Sequence, residues 1–194
     1  MNRRNCLKSL LALTSLGIGS VLIIKWLRPV PPQRIITILD WQRKSSLISE
    51  LSEIIIPKTD TPGAKEAGVQ DYIISVMSKC CDQRQQRVFY SGLDDVEDFT
   101  RTRFGKTFLE CDSSLKHNIV EHFSHSIFES SAFMLKIKNK FVGKSFFFTL
   151  RELTVEGYCT SYLGATKALS YDPVPGAYQP CIFLSSHQKS WATK

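Results

Sequence analysis

The chain of 194 residues is 43% hydrophobic and 22% charged, a balance that excludes a disordered or collagen-like protein. That length buries about 70% of the extended-chain surface on folding, so one domain with an appendage is the expected organisation. The net charge of +7 does not argue for nucleic acid, because Arg3, Arg4, Lys8 and Lys25 precede the first acidic residue and positions beyond 27 carry 21 basic against 18 acidic residues. A nucleic-acid footprint is a basic stripe on the folded part. The run Lys136, Lys138, Lys140 and Lys144 reads instead as a solvated face.

The chain opens Met1-Asn2-Arg3-Arg4-Asn5-Cys6-Leu7-Lys8, and no charge follows from Ser9 to Ile24. A basic start ahead of an apolar run is an address and not part of the fold. Arg3 and Arg4, with Leu7 and Lys8, resemble the twin-arginine signal of bacterial export, with Cys6 where Phe is commonest. Residues 1–27 are assigned to this signal or signal anchor. Leu10 to Ile24 gives about 22 Å of helix against a hydrocarbon core of ~30 Å, and Trp26 and Leu27, with Lys25 snorkelling, extend it towards a span. No Ala-x-Ala cleavage site follows, so retention as an anchor and removal both stay open. Residues 28–39, with Pro29, Pro31 and Pro32, form a stiff linker.

Export sets an oxidising context for Cys80, Cys81, Cys111, Cys159 and Cys181. Disulfides are permitted there, and spacing does not choose among the pairings. The sequence has neither C-x-x-C nor C-x-x-C-H, which removes the usual zinc pair and covalent c-type haem.

Beyond the linker, apolar residues recur at helical spacing. Asp40 is placed to cap a helix whose buried stripe is Leu47, Leu51, Ile54 and Ile55, stopped by Pro57. In the polar turn 59–64, Thr61 and Pro62 have the character of an N-cap and first helical residue. Gly68 then gives a sharp exit into a helix with Tyr72, Ile73, Val76 and Met77 on its buried side. A longer helical region is expected from Gln83 to Cys111, interrupted at Gly92 and Gly105. After Asp112 and Ser113 the next stripe is Leu115, Ile119, Phe123 and Ile127.

Phe141 to Tyr158 is the most apolar stretch. Phe146, Phe147 and Phe148 together cover about 200° of a helix surface, so part of that helix lies deep in the core or under a partner. From Gly157 to Leu184 the period is lost and Gly, Pro, Tyr and Thr dominate. A long irregular segment inside a compact domain is usually functional, and this one is read as an ordered binding loop. The expected fold is thus mainly α: a small irregular helical domain over residues 40–184, a Pro/Gly-rich loop at 157–184, and a tail at 185–194.

Catalytic patterns are missing from the sequence. It contains no G-x-S-x-G, phosphate loop or G-x-G-x-x-G. His117, Glu121 and His125 share one helix face and define an alternative, a stand-alone membrane-anchored periplasmic protein with a metal-dependent activity. Their face is opposite the buried stripe and lacks recognisable supporting partners, so no metal ligands are assigned. Asp94, Asp95, Glu97 and Asp98 alternate with Arg101 and Arg103 as a solvated helix face does.

Two segments carry a family resemblance. Ile55-Ile56-Pro57-Lys58-Thr59-Asp60-Thr61-Pro62-Gly63-Ala64, continuing to Gly68-Val69, resembles the I-I-P-x-T-D-T-P-G-A-x-x-A-G-V stretch of the gluconate 2-dehydrogenase subunit 3 family. Gly157-Tyr158-Cys159-Thr160-Ser161-Tyr162-Leu163-Gly164-Ala165, and then Tyr171-Asp172-Pro173-Val174-Pro175-Gly176-Ala177-Tyr178-Gln179-Pro180-Cys181, resemble its G-Y-x-T-S-E-x-G-A and Y-x-P-x-P-G-x-Y-x-x-C motifs. Phe104-Gly105-Lys106 lies between them.

The resemblance implies a non-catalytic small subunit of a membrane-associated dehydrogenase acting on a sugar, sugar acid or polyol. The implied partners are a catalytic flavoprotein carrying FAD, a multihaem cytochrome c subunit carrying haem c, the twin-arginine export machinery and the membrane. No cofactor is expected in this chain, and no nucleic acid is expected as a partner. The location implied is the periplasmic side of the bacterial inner membrane. Partner contacts are expected at Thr59, Asp60, Thr61, Pro62, Phe147, Tyr158, Thr160, Ser161, Tyr171, Asp172, Pro173, Pro175 and Tyr178. Tyr162 stands where the family usually has Glu and Cys159 where an aromatic is usual. Within that comparison, Cys159 and Cys181 can form a disulfide that replaces the lost contact.

Overall fold

The computed structural model describes residues 35–128 and 145–174, with positions 176, 177, 181, 183 and 186–192 beyond them. The chain divides into two units, Met1–Ile35 and Ile36–Lys194. The export residues Arg3, Arg4, Leu7 and Lys8, the lysine run 136–144, and Pro175 and Tyr178 lie outside the described residues.

The second unit is mainly helical. Its order is α1 Ile38–Ile55, α2 Val69–Lys79, α3 Gln83–Phe104, a 3-10 turn Phe108–Glu110, α4 Ser113–Phe128, α5 Phe146–Thr160 and a π-helical turn Gly164–Ala168. Among the described residues the only extended pairing is one parallel bridge, Ser170 to Trp191.

Local chemistry fixes the helix ends. The cap of α1 is Thr37 and not Asp40: the Asp40 amide donates to Thr37 Oγ1 at 3.4 Å, and the Thr37 amide donates to Asp40 Oδ2 at 2.9 Å. This reciprocal capping box satisfies two amides that a helix start leaves open. Pro57 ends the helix through its predecessor: Ile56 is pushed to φ −128°, ψ 87°, away from the helical region that a following proline disfavours. Asp82 and Gln85 box the start of α3 in the same way as Thr37 and Asp40, and Gly105 closes that helix at φ 68°. The interruption expected at Gly105 is thus the end of α3 at Phe104, because the left-handed geometry of the glycine turns the chain away.

Gly92 does not interrupt α3. It lies in the middle of the helix because Phe146 occupies the space a side chain would need: a Cβ at Gly92 would be 2.1 Å from Phe146 Cγ. The close approach lets Phe146 sink between helices, with its ring 5.2 Å from that of Phe89, which is in turn 6.1 Å from Trp41. Burial of such a side chain is worth about 1.5–3 kcal/mol. The first residue of the Phe146-Phe147-Phe148 run is thus core, Phe147 is half-buried against that core, and Phe148 lies under the Arg151 guanidinium at 5.6 Å.

The centre of the unit is α5, which lies against α1, α2, α3 and α4. Leu47, Ile48 and Leu51 of α1, Ile73 and Met77 of α2, Leu93 and Val96 of α3, Ile119 of α4 and Leu150 of α5 are buried around it. Two of the acidic residues expected on a solvated face of α3 have another role: Asp94 and Glu97 each hold the buried Lys44 ammonium at 2.6 Å. Burial pulls the Lys44 pKa down, but the hydrogen bonds and charges of the two carboxylates outweigh it and hold the pKa above its ordinary value.

Candidate partner interface

The turn after α1 is built on a carboxylate. Glu53, two residues before the end of the helix, accepts the Lys58 amide at 2.9 Å and the Lys65 amide at 2.8 Å. Its carboxylate fills the place of a side chain at Gly63, where a Cβ would lie 2.3 Å from Oε1. Only glycine fits there without displacing the anion. The Ala64 amide donates to the Ile56 carbonyl at 2.9 Å, which closes the loop and buries Ala64 completely. Thr61 and Pro62 are consequently part of the closed loop and do not cap a helix. The N-cap of α2 is Gly68, at φ 71°. Thr59 and Asp60 stay exposed at the tip, and Thr61 and Pro62 are half-buried.

The end of α5 grips this turn. Tyr158 is buried, and its hydroxyl donates to the Pro62 carbonyl oxygen at 2.6 Å. Gly157 makes room for Tyr72, whose ring carbon Cδ1 would be 2.6 Å from a Cβ at that position. Burial first, and then the neighbouring Glu156 carboxylate, push the Tyr72 phenol pKa up. Thr154 and Ser52 meet through their hydroxyls at 3.4 Å in the buried seam between α5 and α1. The two signature segments are thus one structure.

The loop expected from Gly157 begins later than its composition suggests, since 157–160 belong to α5 and 164–168 form a π-helical turn. Ser161 makes the transition: its hydroxyl donates to the Tyr158 carbonyl at 2.7 Å and accepts the Gly164 amide at 3.0 Å. A side chain at Gly164 would strike the Tyr158 carbonyl oxygen at 1.9 Å. The wide turn then closes through the Leu169 amide on the Gly164 carbonyl at 3.0 Å, the i+5 pattern of π-helix.

Beyond it the chain presents large side chains to solvent. Tyr162 is 79% exposed, Tyr171 48%, Val174 80% and Trp191 54%. The backbone beneath them is tied down: Asp172 Oδ1 accepts the Val174 amide at 3.2 Å. The Ser170 amide donates to the Ser190 carbonyl and the Ala192 amide to the Ser170 carbonyl, both at 2.8 Å. Residues 190–192 therefore pair with the motif segment and do not trail free.

The structure divides the expected contact residues by what they do. Thr59, Asp60, Thr160, Tyr171 and Pro173 are exposed; Phe147 is half-buried; Tyr158 and Ser161 serve the chain's own fold. Cys159 and Cys181, like Cys80, Cys81 and Cys111, are unpaired in the structure. Cys159 sits half-buried on α5, and Cys181 is exposed. Of the helix-face alternative, His117 Nδ1 is 2.8 Å from its own helix's Ser113 carbonyl oxygen, and the His125 side chain lies outside the described residues. Glu53 had no signal of its own in the sequence beyond being a carboxylate one turn ahead of Pro57.

Fold and site together define an all-helical domain whose two motif segments are locked into one surface, carried on a closed carboxylate-centred turn. The family model described as gluconate 2-dehydrogenase subunit 3 matches residues 42–176, which contain the first segment and the second as far as Gly176, and the chain belongs to that family. No curated protein and no solved structure matches it closely enough to count as similar.

Proposed function

We propose that this chain is the non-catalytic accessory subunit of a membrane-associated, flavin-dependent dehydrogenase that oxidises a sugar, sugar acid or polyol. In this reading it holds the catalytic, FAD-bearing flavoprotein and supplies the twin-arginine signal that exports both to the periplasmic side of the inner membrane. Electrons leave the flavoprotein for a multihaem cytochrome c subunit. The observation that carries the reading is the family match over residues 42–176, which takes in the first motif segment and the second as far as Gly176. Their joint geometry supports it, because Tyr158 and Glu53 spend themselves on rigidity while Thr59, Asp60, Tyr171 and Pro173 remain available. A surface that is already ordered loses little entropy on docking.

The test is purification of the tagged full chain from its native membrane. A larger, yellow, flavin-bearing chain should copurify. A colourless preparation holding stoichiometric metal and no partner would replace this reading with the metal-dependent alternative. With Arg3 and Arg4 both changed to lysine, the charge is kept and the twin-arginine pattern is lost. Both chains should then stay in the cytoplasm, whereas export of the flavoprotein alone would remove the carrier role.

A further inference from the structure

The corner between α2 and α3 gathers three sulfur atoms' worth of side chains within five residues. Met77 lies in the last turn of α2, Cys80 caps that helix, and Cys81 follows in the corner before Asp82. Met77 Sδ and Cys81 Sγ are 3.7 Å apart. Two sulfurs bound to one ion at about 2.3 Å would stand that far apart at an angle of about 107°, so the pair has the spacing of two ligands before any ion is present. Both side chains also line a groove of about 840 Å³ between α3 and α5, walled by Val88, Phe89, Phe146 and Leu153. An ion therefore has a way in. Cys80, the residue before Cys81 and exposed, adds a second thiol on the solvent side.

We propose that Met77, Cys80 and Cys81 form a binding site for a soft monovalent cation of the copper(I) class. Thiolate and thioether sulfur select copper(I), and the harder divalent ions prefer nitrogen and oxygen. Two oxygen atoms next to the corner are engaged with each other's backbone: Asp82 Oδ1 accepts the Gln85 amide at 2.7 Å, and Gln85 Oε1 accepts the Asp82 amide at 3.2 Å. Each thiol that binds releases its proton to solvent, with no change in sulfur oxidation state. The site stands apart from the partner surface and does not depend on the dehydrogenase reading.

The experiment is anaerobic titration of the reduced full chain with copper(I), in competition with a copper(I) chelator, joined to X-ray absorption at the copper edge. The expected result is one tight equivalent with only sulfur neighbours, at about 2.3 Å. Cys81→Ser should weaken it by more than about 100-fold and Met77→Leu by about 10-fold, at and above the range seen for supporting groups around a metal. Leucine nearly conserves the volume of methionine, and circular dichroism of each variant checks that the fold is kept. Wild-type affinity in either variant, or in Cys80→Ser/Cys81→Ser, would place the ion on other thiols and overturn the assignment. Displacement by equimolar zinc(II) would overturn the selectivity.

Discussion

The Tyr158 hydroxyl and the Pro62 carbonyl oxygen meet at 2.6 Å across a sequence separation of 96 residues. This bond joins the end of the central helix to the turn that follows the first one. Tyr158→Phe keeps the ring and leaves the carbonyl without its donor, at a cost of about 1–2 kcal/mol. A lower melting temperature with an unchanged far-ultraviolet spectrum is the expected outcome, and unaltered melting would show that water replaces the hydroxyl without loss.

Gly92 and Phe146 make a second such pair. Alanine at 92 gains about 1 kcal/mol of helix propensity, but its methyl group would enter the Phe146 ring, and overpacking costs about 1–3 kcal/mol. Gly92→Ala should therefore destabilise the domain. Phe146→Leu should relieve the clash, so that a double-mutant cycle in urea gives less loss than the two single variants added together.

The acid limit of stability should depend on Glu50. Hydrogen bonds from Lys65 first, and from Lys116, hold its carboxyl below the ordinary value of 4.5. A depressed folded pKa contributes stability that is complete above 4.5 and lost as pH falls through the folded value. Glu50→Gln should flatten the decline in melting temperature below pH 4.5 while lowering stability at neutral pH. Lys44 acts with the opposite sign: its raised pKa contributes fully below 10.5 and is lost as pH climbs through the folded value. Equal acid profiles for wild type and Glu50→Gln would refute the first half.

Exposed aromatic side chains on an ordered segment should carry partner affinity without carrying fold. Tyr171→Ala combined with Tyr162→Ala is expected to leave melting within about 0.5 kcal/mol of wild type, as surface changes usually do. The same pair should weaken retention of the catalytic chain by about 2 kcal/mol or more if the side chains are anchors. Loss of melting temperature with retention intact would make this segment a structural wrap.

Much of the fold was legible because its signals are local. Apolar spacing located the buried stripes of α1, α2 and α4, Pro57 marked a helix end, and Gly68 and Gly105 marked turns with positive φ. The misreadings come from ambiguity at one position or from distant partners. Asp40 looks the same in sequence whether it stands at the cap or three residues inside a capping box. Gly92 looks like a break because the ring that requires it lies 54 positions later. The π-helical turn was hidden because Tyr, Thr, Gly and Ser resemble an irregular loop until Ser161 is seen bracing the backbone. In the candidate site, the motif residues were visible individually, whereas their division into fasteners and free surface depended on contacts between segments.

The box formed by Thr37 and Asp40 closes the first turn of α1 from within. These two amides are satisfied inside the box and need no partner upstream of Thr37, although Ile36 still packs against the core. In the proposed reading, the export signal could therefore be exchanged or lengthened upstream of this box without altering either bond.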